Sequence, residues 1–181
     1  RRPWRETSLM VDVFSLNAGR VTVIARGGNS AKSPLKAQLQ PFQPLLLDWT
    51  GRSDLKTLTQ ADVRSGPSLK RTLSLYSGLY VNELLQRLLP MADPHHRLFA
   101  AYIDVIAELS EAGDVEPVLR RFEQSLAAEL GYDFVWDQAT DTGQPVEAGR
   151  LYCYDPEQGI LAEPSPGSRL RNLPGDTLLA L

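Results

Sequence analysis

The sequence predicts an α+β chain of several parts: a small N-terminal β-barrel or sandwich, an α-helical bundle, and a small irregular β lobe. Three observations predict it. Apolar residues alternate with period two near the start, recur at three- and four-residue steps in the middle, and give way to a stretch rich in Asp, Gly, Pro and Gln after Gly131. The boundaries fall at 1–66, 67–131 and 132–181. With 181 residues and 43% hydrophobic content, a core is available. No apolar run approaches the ~18 residues that span a bilayer, and no signal peptide is visible. The lone Cys153 cannot form an internal disulfide, which suits a reducing cytoplasm. The chain starts at Arg1 and stops on an apolar run, Asp176 to Leu181, that reads as the first turn of a longer helix, so the ends read as trimmed.

In the first part, Leu9, Val11 and Val13 alternate against Met10, Asp12 and Phe14, a strand pattern. Asn17 and Gly19 turn the chain, and Val21, Val23 and Ala25 alternate against Arg20, Thr22, Ile24 and Arg26, making a hairpin. Pro34 argues against a long strand after it. Residues 40–49 form a third strand candidate, confined to an edge or a strand start by Pro41 and Pro44, and residues 54–59 a fourth. A five-stranded oligonucleotide-binding barrel needs one strand more, so the first reads as missing. Residues 61–72, with Gly66 and Pro67, read as a linker.

The next part reads as three antiparallel helices. Leu75, Leu79, Leu84, Leu85, Leu88 and Leu89 form the first stripe, widened by Tyr76, Tyr80 and Val81. Pro90 and Pro94 end that helix; the second carries Leu98, Phe99, Tyr102, Ile103, Ile106 and Leu109. Asp114 caps the third, whose buried edge is Leu119, Phe122, Leu126 and Leu130, with Gly131 at its end. Beyond it, short β-runs stand at 133–136, 149–154 and 159–162.

The net charge of −3 conceals a split: residues 1–72 hold 12 Lys+Arg against 5 Asp+Glu, and residues 73–181 hold 7 against 17. A basic front half suits a polyanionic partner; unequal charge without binding is the plain alternative. Arg20, Arg26, Lys32, Lys36, Arg52 and Lys56 are the candidate phosphate contacts, with Arg1, Arg2 and Arg5 at the start, and Trp4, Phe14, Phe42 and Trp49 are the aromatics available to stack on bases. Alternation assigns at least two of those aromatics to the core.

Other chemistries find little support. His95 and His96 are adjacent, about 100° apart on a helix, and Cys153 has no CxxC partner, so no metal site is expected. No GxSxG is present, and no acid is placed in sequence to orient either histidine. The run from Gly27 to Lys32 lacks the glycine before lysine of a phosphate loop, and no helix is expected after it. No catalytic residue and no cofactor are assigned. Arg120 and Arg121 open the exposed part of the third helix. Glu116 and Arg120 have the favourable i,i+4 order of a surface pair, and the functional alternative is a guanidinium that captures a carboxylate beside an apolar pocket. The residues alone do not choose.

Several runs, in order, resemble one family. They are Arg2-Pro-Trp-Arg-Glu-Thr-Ser-Leu-Met10, Asp12-Val-Phe14, Gly19-Arg-Val21, Leu39-Gln-Pro-Phe42, Leu75-Tyr-Ser-Gly-Leu-Tyr-Val-Asn-Glu-Leu-Leu85, Leu119-Arg-Arg-Phe-Glu123 and Leu130-Gly-Tyr132. Together they resemble the bacterial DNA repair family RecO. The resemblance implies an oligonucleotide-binding (OB-fold) barrel followed by a helical domain. It implies a non-enzymatic recombination mediator that binds single- and double-stranded DNA, anneals complementary strands, and with RecR helps load RecA onto DNA coated by single-stranded DNA-binding protein (SSB). It further implies a cytoplasmic, nucleoid-associated monomer without membrane contact. Docking on the acidic, phenylalanine-ended SSB tail would run through the helical domain, with Arg120, and beside it Arg121, placed for the tail. Some relatives carry a four-cysteine zinc site in the third lobe; Cys153 alone cannot make one, so this lobe reads as zinc-ribbon-like without metal. Relatives often carry a further basic residue where this chain has Gly28-Asn29, and the family's C-terminal helices are missing here. The rival readings are an RNA-binding OB-fold protein and a scaffold subunit acting through its helices.

Overall fold

The computed structural model describes residues 1–132 and 135–180. The chain divides into two compact units, Arg1–Ser125 and Leu126–Leu181. The sheet and most of the helical segment, which the sequence separates, fall in the first.

The first unit opens on β1 (Arg2–Trp4), β2 (Ser8–Ser15) and β3 (Gly19–Ala25), continues through α1 (Pro34–Gln38), and completes its sheet with β4 (Leu45–Thr50) and β5 (Leu55–Val63). The strands lie in the order β1-β2-β3-β5-β4, antiparallel except for the parallel β3–β5 pair. This is the Greek-key strand order of the oligonucleotide-binding type. The fifth strand is the short β1, too small for the alternation signal that marks β2 and β3. The sheet is open rather than the closed barrel expected: β1 pairs with β2 and β4 with β5, and no pairing of β1 with β4 joins the two edges.

Alternation sets the two faces. Leu9 and Val11 of β2 join Val21, Val23 and Ala25 of β3 in the core, with Leu39 sealing it and Val13, Trp49 and Leu58 packed around. Pro34, read as a strand breaker, stands in the first turn of α1, where its missing N–H costs nothing. A short helix therefore does follow the Gly27–Lys32 run, contrary to expectation; the absent glycine-lysine pair still excludes a phosphate loop. The linker assigned to 61–72 begins later, because β5 continues to Val63.

Helices α2 (Thr72–Leu88), α3 (His96–Glu111) and α4 (Glu116–Glu129) follow. The stripe expected on α2 is split. Val81 and Leu85 are buried beside Ser74, Ser77 and Gly78, whereas Leu75 is 39% exposed, Leu79 41% and Tyr76 65%. The small residues turn inward because a Cβ on Gly78 would lie 2.6 Å from Leu69 and 2.9 Å from Phe42. The first half of the helix thus exposes apolar side chains, while Asn82, Glu83, Gln86 and Arg87 make the same side polar in its second half.

Helices and sheet lock together within this unit. Phe14 meets Phe99 and Tyr102 with ring centroids 5.4 and 5.8 Å apart. Gln86 donates to Asp12 at 3.2 Å, the Ala92 N–H donates to the Arg20 carbonyl at 2.8 Å, and the Arg20 guanidinium donates to the Gln86 carbonyl. Tyr102 donates to Asn82 at 2.8 Å, and burial pushes its phenol up to about 12.

The second unit holds a three-stranded antiparallel sheet, β6 (Leu151–Asp155), β7 (Gly159–Leu161) and β8 (Leu170–Pro174), in the order β7-β6-β8, and ends on α5 (Gly175–Leu178). Tyr152, Ile160, Leu178, Ala139 and Val146 form its core. The runs expected at 149–154 and 159–162 correspond to β6 and β7; β8 carried no alternation signal. Of the run expected at 133–136, Asp133 and Phe134 lie outside the described residues.

Backbone amides captured by carboxylates hold this unit's turns. Asp155 accepts the N–H groups of Glu157 (2.9 Å) and Gln158 (3.1 Å) and the Ser165 hydroxyl (3.2 Å). These bonds, the Glu157 amide foremost, hold its carboxyl below the ordinary 3.8. A depressed folded value gives stability that is present above the unfolded pKa and lost as pH falls through the folded one. The near-UV signal of Tyr152 and Trp136 is therefore expected to melt earlier as pH drops below about 4. Asp155→Ala should lower the melting point at neutral pH and flatten that acid dependence; superimposable pH curves for the two proteins would refute the role.

Candidate nucleic-acid interface

Strand register gathers part of the basic set. Trp4 pairs with Ser8, Met10 with Ile24, and Ile24 with Thr57, so these side chains share the sheet face opposite Leu9, Val11 and Val23. The β1–β2 turn, the end of β3 and the start of β5 bound an open cleft of about 680 Å³ on this face. Arg5 and Arg26 line it, with Trp4 and Thr57, over an apolar floor that includes Ile24 and Leu55; Lys56 also borders it, although its register with Val23 sets it on the other side of the β5 pleat. Glu6 is the acidic residue at its rim.

The six candidate cations do not act as one patch. Arg26 and Lys56 stand at the cleft. Lys56 also donates to the Gly51 carbonyl at 3.3 Å, which ties it to the exposed turn carrying Arg52. Lys32 and Lys36 are exposed on the loop and helix after β3. The side chains of Arg26, Lys32 and Lys36 make no hydrogen bond or ion pair among the described residues, so their charge faces solvent. Arg20 stands apart: half-buried against the helical segment, its guanidinium engages Gln86. Arg1 donates to the carbonyls of Lys36 (2.6 Å) and Leu39 (3.0 Å), and Arg2 to the Met10 sulfur. Arg1 thereby ties the chain's first residue to α1 and its end, and Arg2 reaches β2. Arg5, left out of the candidate set, joins the cleft because β1 and its turn fold back beside β3; a three-residue strand of exposed side chains gave no pattern from which to place it.

On α4, Arg120 is 62% exposed and pairs with Glu123 and, at 4.0 Å, with Glu116. Glu123 accepts from the Tyr80 hydroxyl at 2.7 Å and thereby raises the tyrosine's pKa. Arg121 pairs with Glu108 of α3. The surface-pair reading of both arginines is thus realised, and Arg120 lies one hydrogen-bonded step from the exposed face of α2.

His95 caps α3, and Asp93, two residues before it in the chain, lies 3.7 Å from its ring, contrary to the expectation that no acid is placed beside either histidine. Among the described residues no group of three His, Cys, Asp or Glu side chains is placed to hold a metal ion. No described helix is long and apolar enough to cross a membrane.

An open five-stranded sheet of oligonucleotide-binding order with a cationic cleft, joined to a helical segment, defines the class: a two-part protein of the oligonucleotide-binding type. The model of the recombination protein O N-terminal domain matches residues 1–67, and that of its C-terminal domain matches residues 70–177. The DNA repair protein RecO of Marinobacter nauticus is 63% identical over 184 residues, covering 100% of this chain and 75% of its own length. Those of Nitrosospira multiformis and Haemophilus influenzae are 46% and 44% identical, covering 98% and 90% of this chain and 74% and 69% of their own lengths. The chain belongs to the RecO family of DNA repair and recombination proteins.

Proposed function

We propose that this chain is a non-catalytic recombination mediator that binds single- and double-stranded DNA, anneals complementary strands and, with RecR, helps load RecA onto SSB-coated single strands in the cytoplasm. The observation that carries the DNA contact is the cleft lined by Arg5, Arg26 and Lys56 on a sheet of oligonucleotide-binding order; the unpaired Lys32 and Lys36 are exposed on the loop and helix that follow β3. Annealing asks no more of such a surface than that it screen repulsion between two phosphate backbones and raise their local concentration. Titration of single-stranded DNA across a salt series tests the contact. Affinity that does not change with salt defeats it, and equal preference for RNA in competition turns the reading to the RNA-binding alternative.

The SSB tail is assigned to Arg120, with Arg121 beside it. The supporting observation is a guanidinium linked through Glu123 to the Tyr80 hydroxyl of α2, a helix that exposes Leu75, Tyr76 and Leu79, so charge and apolar surface suited to an acidic peptide ending in an aromatic residue stand on linked helices. An incoming carboxylate must compete with Glu123 and Glu116, so affinity should be modest. Arg120→Ala is expected to weaken a fluorescent SSB-tail peptide about tenfold, the scale of one charge-assisted hydrogen-bond set. Single-stranded DNA affinity should stay unchanged. Wild-type peptide affinity in the variant would remove Arg120 from the site.

A further inference from the structure

The aromatic residues of the N-terminal half divide sharply once placed. Phe14 is flanked by Phe99 and Tyr102. Phe42 lies against Gly78. Trp49 packs on the sheet core. Trp4 alone of these four lines the cationic cleft, and it is 36% exposed. It has nothing to do in the core, because β1 is exposed along its length. An indole 36% exposed on an edge strand is by itself ordinary; what sets Trp4 apart is that it lines the same cleft as Arg5, Arg26 and Lys56.

We infer that Trp4 is a stacking platform for an unpaired nucleobase, and that it makes this cleft a subsite selective for single strands. The inference rests on the DNA-binding reading above. The cleft, at about 680 Å³, is ample for a nucleotide, a ligand at the lower end of ordinary pocket sizes. Its floor supplies Ile24 and Leu55 as apolar surface for a base, while the surrounding cations reach the phosphates on either side. An indole stacks on any base, since every base presents a π-face, so no sequence preference is expected. A base inside a duplex has both faces occupied by its neighbours and cannot lie on Trp4. Cations hold both kinds of backbone; the indole adds affinity for one kind only. Glu6 at the rim disfavours a phosphate there and leaves the three cations to set the backbone's path.

The test compares oligothymidylate, an abasic strand of equal length and a duplex, each titrated at the same salt into the full chain and into Trp4→Ala and Trp4→Phe. Trp4→Ala is expected to weaken oligothymidylate about tenfold, within the range for loss of one base–aromatic stack, and to leave abasic and duplex affinities and the salt slope unchanged. Trp4→Phe should restore most of the loss. Oligothymidylate should also quench indole emission in the native chain, and that quench should vanish in Trp4→Phe although binding persists, because Trp49 and Trp136 remain. The quench requires no destabilising substitution, so it decides the matter even if Trp4→Ala folds poorly. Undiminished oligothymidylate binding by Trp4→Ala, equal loss on abasic and natural strands, or an unaltered quench in Trp4→Phe overturns the platform while the DNA contact stands. A native chain that binds none of the three strands overturns the DNA-binding reading itself.

Discussion

Replacing Arg26, Lys32 and Lys36 together with glutamine is expected to lower single-stranded DNA affinity about a hundredfold at ~0.1 M salt and to reduce the slope of log K against log salt by about 2. Both figures have one source. Each phosphate neutralised releases counterion equivalent to a slope of about 0.7 on a single strand, so three lost contacts remove about 2 units. The electrostatic part extrapolates to nothing near 1 M salt, so a slope change of about 2 is a factor of about a hundred one decade lower. The three side chains are suited to this test because no internal partner among the described residues holds them. Their removal therefore leaves no buried acid unpaired and should not move the unfolding midpoint. A slope equal to that of the native chain would take this loop out of the interface. The same substitution at Arg20 should behave otherwise: it would loosen the link to Gln86 and reduce stability, with little change in slope.

Gly19→Ala is expected to destabilise the first unit by at least about 3 kcal/mol, read from the urea midpoint at unchanged m-value. Two causes add. Gly19 has φ +60°, where an L-residue costs roughly 1–2 kcal/mol. A Cβ there would also lie 1.9 Å from the carbonyl oxygen of Asp93 and 2.4 Å from its carbon. Backbone cannot rotate away as a flexible side chain can, so the hairpin and the segment after α2 must part. That movement would break the 2.8 Å bond from the Ala92 N–H to the Arg20 carbonyl, worth about 1 kcal/mol more. Gly27→Ala is the control. It has φ +69°, yet nothing lies within 4 Å of the added Cβ, so only the backbone cost of roughly 1–2 kcal/mol is expected. Equal losses at the two glycines would show that the approach of Asp93 to Gly19 contributes nothing.

Local pattern was read correctly where one physical rule governed the outcome. In β2 and β3 the two-residue period leaves a single choice of face, and Leu9, Val11, Val21, Val23 and Ala25 are buried together as alternation requires. Helices α2, α3 and α4 followed from their spacing and from Pro90, Pro94 and Gly131. Where partners decide, pattern was insufficient. Leucines 75 and 79 fit a helical stripe, but α2 buries its small residues instead, since Phe42 and Leu69 need the room at Gly78. Strand β8 has no alternation because Arg171 and Asn172 are exposed on both sides of the pleat.

The candidate site divides along the same line. The ordered family motifs were enough to indicate RecO, because they are a property of residue order alone, and the charge asymmetry from which a polyanion-facing first half is proposed is legible in the same way. Which cations share a surface is a property of distance, which order does not contain. Pairing of β1 with β2 and of β5 with β3 brought Arg5 to Arg26 and Lys56, while packing of the helices on the sheet took Arg20 away, and the same two events left Trp4 facing solvent and Phe14 enclosed.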